Sequence, residues 1–440
     1  MKLKEIRSIN YKLWLVLILT SFIPLIYSTT RIHFLGSIPS PWAFSIAAQV
    51  AWLNVGYEVL GETLLVPLAF ILGKVITDEV KFRQRASISL LIIVLSYLIV
   101  TVFVLWLAPQ LVDAMQQKQV LLYNTVQYIR LESLAILLSS LYAFLLLVLV
   151  LKNEQGIMYK LLTIQMVTTI LCDGLLVSQQ PFSFQLGVNG IAVSNIIVNS
   201  LLAVIAIVYL SKSGVSFDIR QNRETKSQWL KEWGIIGWKS GLESLVRNAA
   251  FIVMILQLIN QIQQAGTFWV ANQFIWGWLL LPILALGQLV KQDAATHNGL
   301  TPQRINSYLW LSVAVISLWV LTAPLWDGFI SNIMGVSDSN SVTNLVLMMV
   351  GFYIVFSLNN IIDSYFYGIG RTDLMLYQSL FVNTIFYGGA FVFYQMGIFV
   401  PTLKGIAAMF GLGITVDAIV TWGLYRIHRN NMHRLELKTN

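Results

Sequence analysis

Charge is what this chain has least of. Asp, Glu, Lys and Arg together make up 11% of its 440 residues. A soluble domain carries about a quarter of its residues as charges, so this composition excludes an ordinary water-soluble fold. Cysteine is nearly absent: Cys172 stands alone, which excludes an intrachain disulfide and argues against redox chemistry. No Gly-x-x-x-x-Gly-Lys-Ser/Thr segment occurs, and with it goes ATP hydrolysis by a phosphate-binding loop. His33, His297, His428 and His433 are scattered, and none forms a metal-binding helical pair. No Ser/His/Asp arrangement suggests itself. The sequence therefore points to no enzyme, no metal and no cofactor beyond a coupling ion.

What is abundant is apolar. Hydrophobic residues are 57% of the chain, and the mean hydropathy is +0.72. Twelve runs approach or exceed the ~20 residues that a helix needs to cross a bilayer. They cover 12–31, 42–72, 86–108, 122–151, 158–178, 188–210, 233–260, 267–290, 305–326, 342–369, 375–397 and 404–427. Pro67, Pro282 and Pro324 fall inside or near the ends of runs and mark expected kinks. Lys2, Lys4, Arg7 and Lys12 precede the first run, which is too long for a cleaved signal core and reads as a retained anchor.

The bases sort by gap. With the N-terminus placed in the cytoplasm, the inner segments hold 22 of the 28 Lys and Arg, and the outer side holds only Arg31, Lys118 and Lys404. This is a strong positive-inside bias. The net charge of +8 thus reports topology and contact with anionic lipid headgroups, not nucleic acid. The expectation is a multi-pass protein of a bacterial-type cytoplasmic membrane, monomeric, with both termini inside.

The longest hydrophilic gap, 212–232, divides the runs six and six, giving lobes 1–211 and 233–440. Ala48-Gln49-Val50-Ala51-Trp52 in the second run resembles Asn272-Gln273-Phe274-Ile275-Trp276 in the eighth. Gly190-Ile191-Ala192 before the sixth matches Gly405-Ile406-Ala407 before the twelfth. Six runs per half make parallel repeats, a plan suited to alternating access between two lobes.

Several segments then resemble the multidrug and toxic compound extrusion (MATE) family, within the superfamily that also holds polysaccharide and lipid-intermediate flippases. Gly36 with Ala47-Ala48 looks like the family's first outer loop. Ile170-Leu171-Cys172-Asp173-Gly174-Leu175-Leu176 looks like its aspartate-bearing fifth helix. Leu186-Gly187-Val188-Asn189-Gly190-Ile191-Ala192 is similar to the Gly-rich start of the sixth. Gly237-Trp238-Lys239-Ser240-Gly241-Leu242-Glu243-Ser244-Leu245 looks like the start of the seventh, with Lys239 where a proline is usual. Tyr367-Gly368-Ile369-Gly370-Arg371-Thr372 is similar to the turn after the tenth. The resemblance implies cation-coupled export of bulky, often cationic organic molecules. The chain departs from the family in two places. Tyr27-Ser28-Thr29-Thr30-Arg31 lacks the acid that many relatives carry in the first helix. Arg247 stands near a position where some sodium-coupled members have a glutamate.

Ionisable groups inside a bilayer cost about 2.5–3.5 kcal/mol each on insertion scales, so those retained face a cavity or a partner. Here they are Glu58, Glu62, Arg130, Glu132, Asp173, Lys239, Glu243, Arg247, Asp363 and Asp417. Asp173, which the resemblance also singles out, is the leading cation-coupling candidate, with Asn195 and Asn199 on the next helix as amide ligands. Glu58 and Glu62 share one helix face. Two such close carboxylates do not both ionise easily in a low dielectric, so they either carry a proton or are neutralised by a base such as Arg130. Glu243 and Arg247, also four apart, read first as an internal ion pair and second as a contact for an anionic substrate. Asp363 with Asn359 and Asn360, and Asp417, complete the second-lobe candidates, as cation sites or as partners of Arg247. Gln49, Gln273, Trp269 and Trp276 are the substrate-contact candidates, the Trp pair lying near one helix face and suited to flat or cationic solutes.

The sequence thus predicts an all-α polytopic protein of twelve helices in two six-helix lobes. It would export small organic solutes against H+ or Na+, with membrane lipid as its surroundings. The alternative is a flippase for a lipid-linked saccharide or other anionic amphipath, in which Arg247, Lys239 and Arg130 would hold a pyrophosphate.

Overall fold

The structure is a computed structural model that describes residues 9–215, 228–296 and 299–439. The basic segment through Arg7 and most of the 212–232 linker lie outside those residues. Every extended element among the described residues is a helix. Eleven helices are long and apolar enough to cross a membrane: α1 Tyr11–Gly36, α2 Ala43–Gly73, α3 Glu79–Ala114, α4 Gln119–Leu151, α5 Gly156–Leu176, α6 Asn189–Lys212, α7 Gln228–Gln261, α9 Pro302–Asn332, α10 Ser339–Gly368, α11 Thr372–Gln395 and α12 Leu403–Asn430. The remaining span, α8, is the pair Ala265–Leu279 and Leu281–Thr296, bent by 53°. Among the described residues, eleven of the twelve apolar runs are thus single long helices and the eighth is the bent pair.

The bends have local causes. Pro282 follows the break in α8, where it supplies no N–H. Immediately before it, Ile275–Leu279 winds as a π-turn. Pro67 is accommodated inside α2, and Pro324 sits in a 3-10 turn, Ala323–Leu325, within α9. Further π-turns occur at Ile252–Leu256 in α7 and Val382–Tyr387 in α11. On the α3 side of the α2–α3 connection, Asp78 caps α3, accepting from Lys81 N at 3.1 Å, with Lys81 Nζ at 2.9 Å. The Lys81 bonds hold the Asp78 carboxyl below its ordinary range.

The contacts sort the chain into two compact units. One comprises Tyr27–Ile252 and Gln263–Gly266. The other comprises the described residues of Met1–Ile26, Val253–Ile262 and Thr267–Asn440. The start of α1 therefore groups with later helices, and most of α7 with earlier ones. Packing explains the first assignment. Ile9, Leu13, Trp14 and Leu17 join a core built on Leu286, Tyr308, Ile362 and Phe366, and Trp14 Nε1 donates to the Pro282 carbonyl at 3.0 Å.

Within the Tyr27–Ile252 unit, α7 lies tightly on α2. Gly237 and Gly241 form a small-x-x-x-small pair, the spacing that lets helix backbones approach closely in a membrane. A Cβ at Gly237 would strike the Thr63 carbonyl, and one at Gly241 the Thr63 side chain. Trp233 Nε1 donates to the Leu64 carbonyl at 3.0 Å along the same seam. A large core around Leu68, Phe82, Ile93, Ile129, Phe144 and Leu202 supports this unit.

Candidate functional site

Three polar clusters lie within these spans. The first surrounds a cavity of about 250 Å³ in the Tyr27–Ile252 unit. Its lining is mostly polar and comes from five helices: Tyr27 and Arg31 of α1, Asn54 of α2, Glu132 and Ser139 of α4, Gln165 and Thr169 of α5, and Asn195 and Asn199 of α6. The sequence places Arg31 on the outer side, after the first span. In the structure α1 continues through it to Gly36. The reason is its partner: Arg31 Nε donates to Asp173 Oδ2 at 2.7 Å and Nη2 to Oδ1 at 3.2 Å. Asp173 is 1% exposed and Arg31 17%. A bidentate pair of this kind fixes geometry as well as charge.

Asp173 is therefore engaged by a guanidinium and is not itself part of the cavity lining. Asn195 and Asn199 do face the cavity, but the carboxylate they accompany there is Glu132. Asn195 Nδ2 donates to Glu132 Oε1 at 2.9 Å. Glu132 is 6% exposed, and its Oε2 is buried without a hydrogen-bond partner. Beside a polar cavity of this size, such an atom is one that water, a proton or a bound cation would satisfy. In the sequence Glu132 is only one of ten intramembrane charges, and nothing local distinguishes it. Arg31 closes a hydrophobic run, so its position inside a helix has no local signal either.

The second cluster follows the α2–α7 seam. Arg247 Nη2 donates to Glu58 Oε1 at 2.7 Å, and Arg247 Nη1 reaches both Glu243 oxygens at 3.2 and 3.3 Å. Ser240 Oγ donates to Glu62 at 3.1 Å. The expected Glu243–Arg247 pair is present, and Arg247, not Arg130, also takes Glu58. Arg130 instead donates to the Leu105 carbonyl at 3.1 Å. Glu58 and Arg247 remain half-exposed.

The third cluster belongs to the other unit and joins α10, α11 and α12. Asn359 Nδ2 donates to Asp363 Oδ2 at 3.0 Å and to Asp417 Oδ2 at 3.1 Å. Thr421 donates to Asp363 Oδ1 at 3.1 Å, and Gln378 donates to Asp417 Oδ1. One amide thus clamps two carboxylates, and neither makes an ion pair among the described residues. The Asn359 Oδ1 atom is buried without a partner. Asn360 lies apart from the clamp and donates to the Ile283 carbonyl at 3.3 Å. Gln378 and Thr421 are members that sequence reasoning missed. Thr421 follows Asp417 by one helical turn, which is the only signal that could have found it.

Of the proposed substrate contacts, Gln49 is buried and donates to Ser45 O at 2.9 Å. Gln273 and Trp269 are partly buried on α8. Trp276 Nε1 donates to Tyr353 Oη at 3.1 Å, and Tyr353 in turn donates to Asn272 Oδ1 at 3.3 Å. Trp276 is 41% exposed and also meets Phe356 edge-on at 5.3 Å.

The class that this architecture defines is an all-α polytopic membrane protein, with eleven long apolar helices and one bent helix pair among the described residues. No family model matches the chain by sequence, and no curated protein matches it. Solved structures do. An inward-facing conformation of a multidrug resistance MATE family transporter of the MOP superfamily aligns with 92% of this chain and 94% of its own, at 15% identity and TM-score 0.75. An outward-facing conformation of a transporter of that description covers 98% of both chains, at 16% identity and TM-score 0.67. A MOP superfamily transporter from Pyrococcus furiosus, described as having a binding pocket of reverse polarity that suggests a different function, covers 97% of both, at 16% identity and TM-score 0.65. The chain has the fold of these transporters.

Proposed function

We propose that this protein is a secondary active transporter. It exports organic solutes, cationic or amphipathic, in exchange for H+ or Na+ by alternating access, with both termini on the cytoplasmic side. The shared fold supports transport, and the positive-inside pattern of the sequence supports the orientation.

The observation that carries cation coupling is the excess of intramembrane carboxylate over base. Asp363 and Asp417 share one amide donor and have no cation among the described residues. Two such carboxylates cannot both stay charged in a low dielectric, so the pair takes up a proton or a cation, and gives it up when its surroundings change. Glu132 offers the same chemistry in the other unit. Arg31 is bonded to Asp173, and although its charge also reaches Glu132, the Glu132 carboxylate keeps one oxygen, Oε2, without a hydrogen-bond partner in the cavity. Glu132 thus takes the coupling role that the sequence assigns to Asp173, and Asp173 becomes a fixed anchor.

The flippase alternative loses one of its three bases, because Arg247 is held by Glu58 and Glu243, while Arg130 meets only the Leu105 carbonyl among the described residues.

The test uses inside-out vesicles with an acid interior and a pH-sensitive dye. Lipophilic cations, then Na+, are added outside. Proton efflux that requires the protein and is lost in Glu132→Gln or Asp363→Asn establishes cation-coupled export. A folded protein that answers to no cation, and that takes up no labelled cation when Na+ is preloaded inside the vesicles, sinks the reading.

A further inference from the structure

A second cavity, of about 350 Å³, lies between α8 and α9, within the unit that contains Thr267–Asn440. Its size falls at the low end of ligand pockets, about 300–1,000 Å³. It lies at the π-turn and bend of α8, lined by Phe274, Trp278 and Pro282 from that helix and by Val315, Leu318 and Phe329 of α9. Aromatic edges fix its walls. Phe274 meets Trp326 at 5.6 Å and Phe329 at 5.8 Å, and Trp278 meets Phe329 at 4.7 Å.

Its polar groups are satisfied from within. Trp319 Nε1 donates to the Leu279 carbonyl at 3.1 Å. Thr322 Oγ1 donates to the Leu318 carbonyl at 2.8 Å and accepts from Trp326 Nε1 at 3.2 Å. Water entering the cavity would find few partners, and apolar cavities of this kind stay dry. No charged side chain lines it, so a cationic solute would lose its hydration there without a counter-ion. At the rim, Leu318 is 57% and Leu325 69% exposed. Both belong to a helix long and apolar enough to cross a membrane, and Leu318 lies well inside its apolar run, so a bilayer around this span would present acyl chains to that side of the opening.

We infer that this cavity binds an acyl chain of a membrane lipid, seated against the bend of α8. The inference does not rest on the transport reading and stands or falls separately from it.

The test is photolabelling of the full chain in phosphatidylcholine vesicles. They contain a trace of phospholipid with a diazirine in mid-chain, and adducts are mapped by peptide mass spectrometry. Trp278, Val315 and Leu318 should carry adducts in excess of Leu321, which is 73% exposed on the same helix but does not line the cavity. Val315→Phe fills the space and should lower the cavity adducts about tenfold, equivalent to about 1.4 kcal/mol of steric exclusion, with Leu321 labelling unchanged. Leu318→Phe at the rim carries the same test if Val315→Phe does not fold. Equal labelling of cavity and Leu321, or no response to either filled variant, overturns the inference. So does displacement of the cavity adducts by a lipophilic cation, which would assign the pocket to an exported solute.

Discussion

Replacing Arg31 by Leu should damage the fold more than removing both members of its pair. Arg31 Nε and Nη2 lie 2.7 and 3.2 Å from the two Asp173 oxygens, and Asp173 is 1% exposed. Without the guanidinium the carboxylate stays buried and uncompensated, which costs about 3–5 kcal/mol. Arg31 is 17% exposed and faces a polar cavity, so some solvation reaches the site. This places the loss near the lower end, about 3 kcal/mol, or roughly a hundredfold in the folding equilibrium. The double variant Arg31→Leu/Asp173→Leu removes both charges together. Replacing a whole buried pair by apolar side chains is often neutral or stabilising by about 1–4 kcal/mol. Equilibrium unfolding in mixed micelles with a denaturing surfactant, followed by tryptophan fluorescence, measures wild type, Arg31→Leu, Asp173→Leu and the double variant. The expected order has Arg31→Leu well below wild type and the double variant close to it. An Arg31→Leu protein within about 0.5 kcal/mol of wild type, or a double variant whose loss equals the sum of its singles, would refute a coupled buried pair.

Glu132→Gln keeps an acceptor for Asn195 and removes a buried charge, so stability should stay within about 1 kcal/mol of wild type while coupled proton movement is lost; wild-type dye response from this variant would remove Glu132 from the site. Asp363→Asn and Asp417→Asn each relieve a pair of unneutralised carboxylates, so each should raise the thermal midpoint in detergent while abolishing coupling, and a lowered midpoint would contradict the shared-charge reading. Gly237→Val drives a side chain into the Thr63 carbonyl, with an expected loss of about 1–3 kcal/mol in mixed-micelle unfolding. It should also weaken the coupling between Glu58 and Arg247 in a double-mutant cycle.

The spans were legible because the bilayer imposes a local rule. A crossing helix must be apolar over about 20 residues, and that can be counted along the chain. The costly charges were legible for the same reason, and so were contacts set by helical spacing, such as Glu243 with Arg247 and Asn359 with Asp363. Partnerships between distant residues were not. Asp173 meets Arg31 across 142 positions, and Asp417 meets Asn359 across 58. The Gly237–Gly241 spacing announces a close helix contact without naming Thr63. The charge balance shows why these partnerships matter. Arg31 neutralises Asp173, and Arg247 is shared between Glu58 and Glu243. Glu62 has the Ser240 hydroxyl, Glu132 an amide, and Asp363 and Asp417 only amides and a hydroxyl. These four carboxylates have no base within ion-pair reach among the described residues. Insertion of unneutralised acids is expensive, and a chain with nothing to gain from them would be more stable with Gln and Asn in their place. Their presence in both units is the physical argument behind the proposal of cation coupling, and it predicts that neutralising an acid in either unit impairs coupled flux.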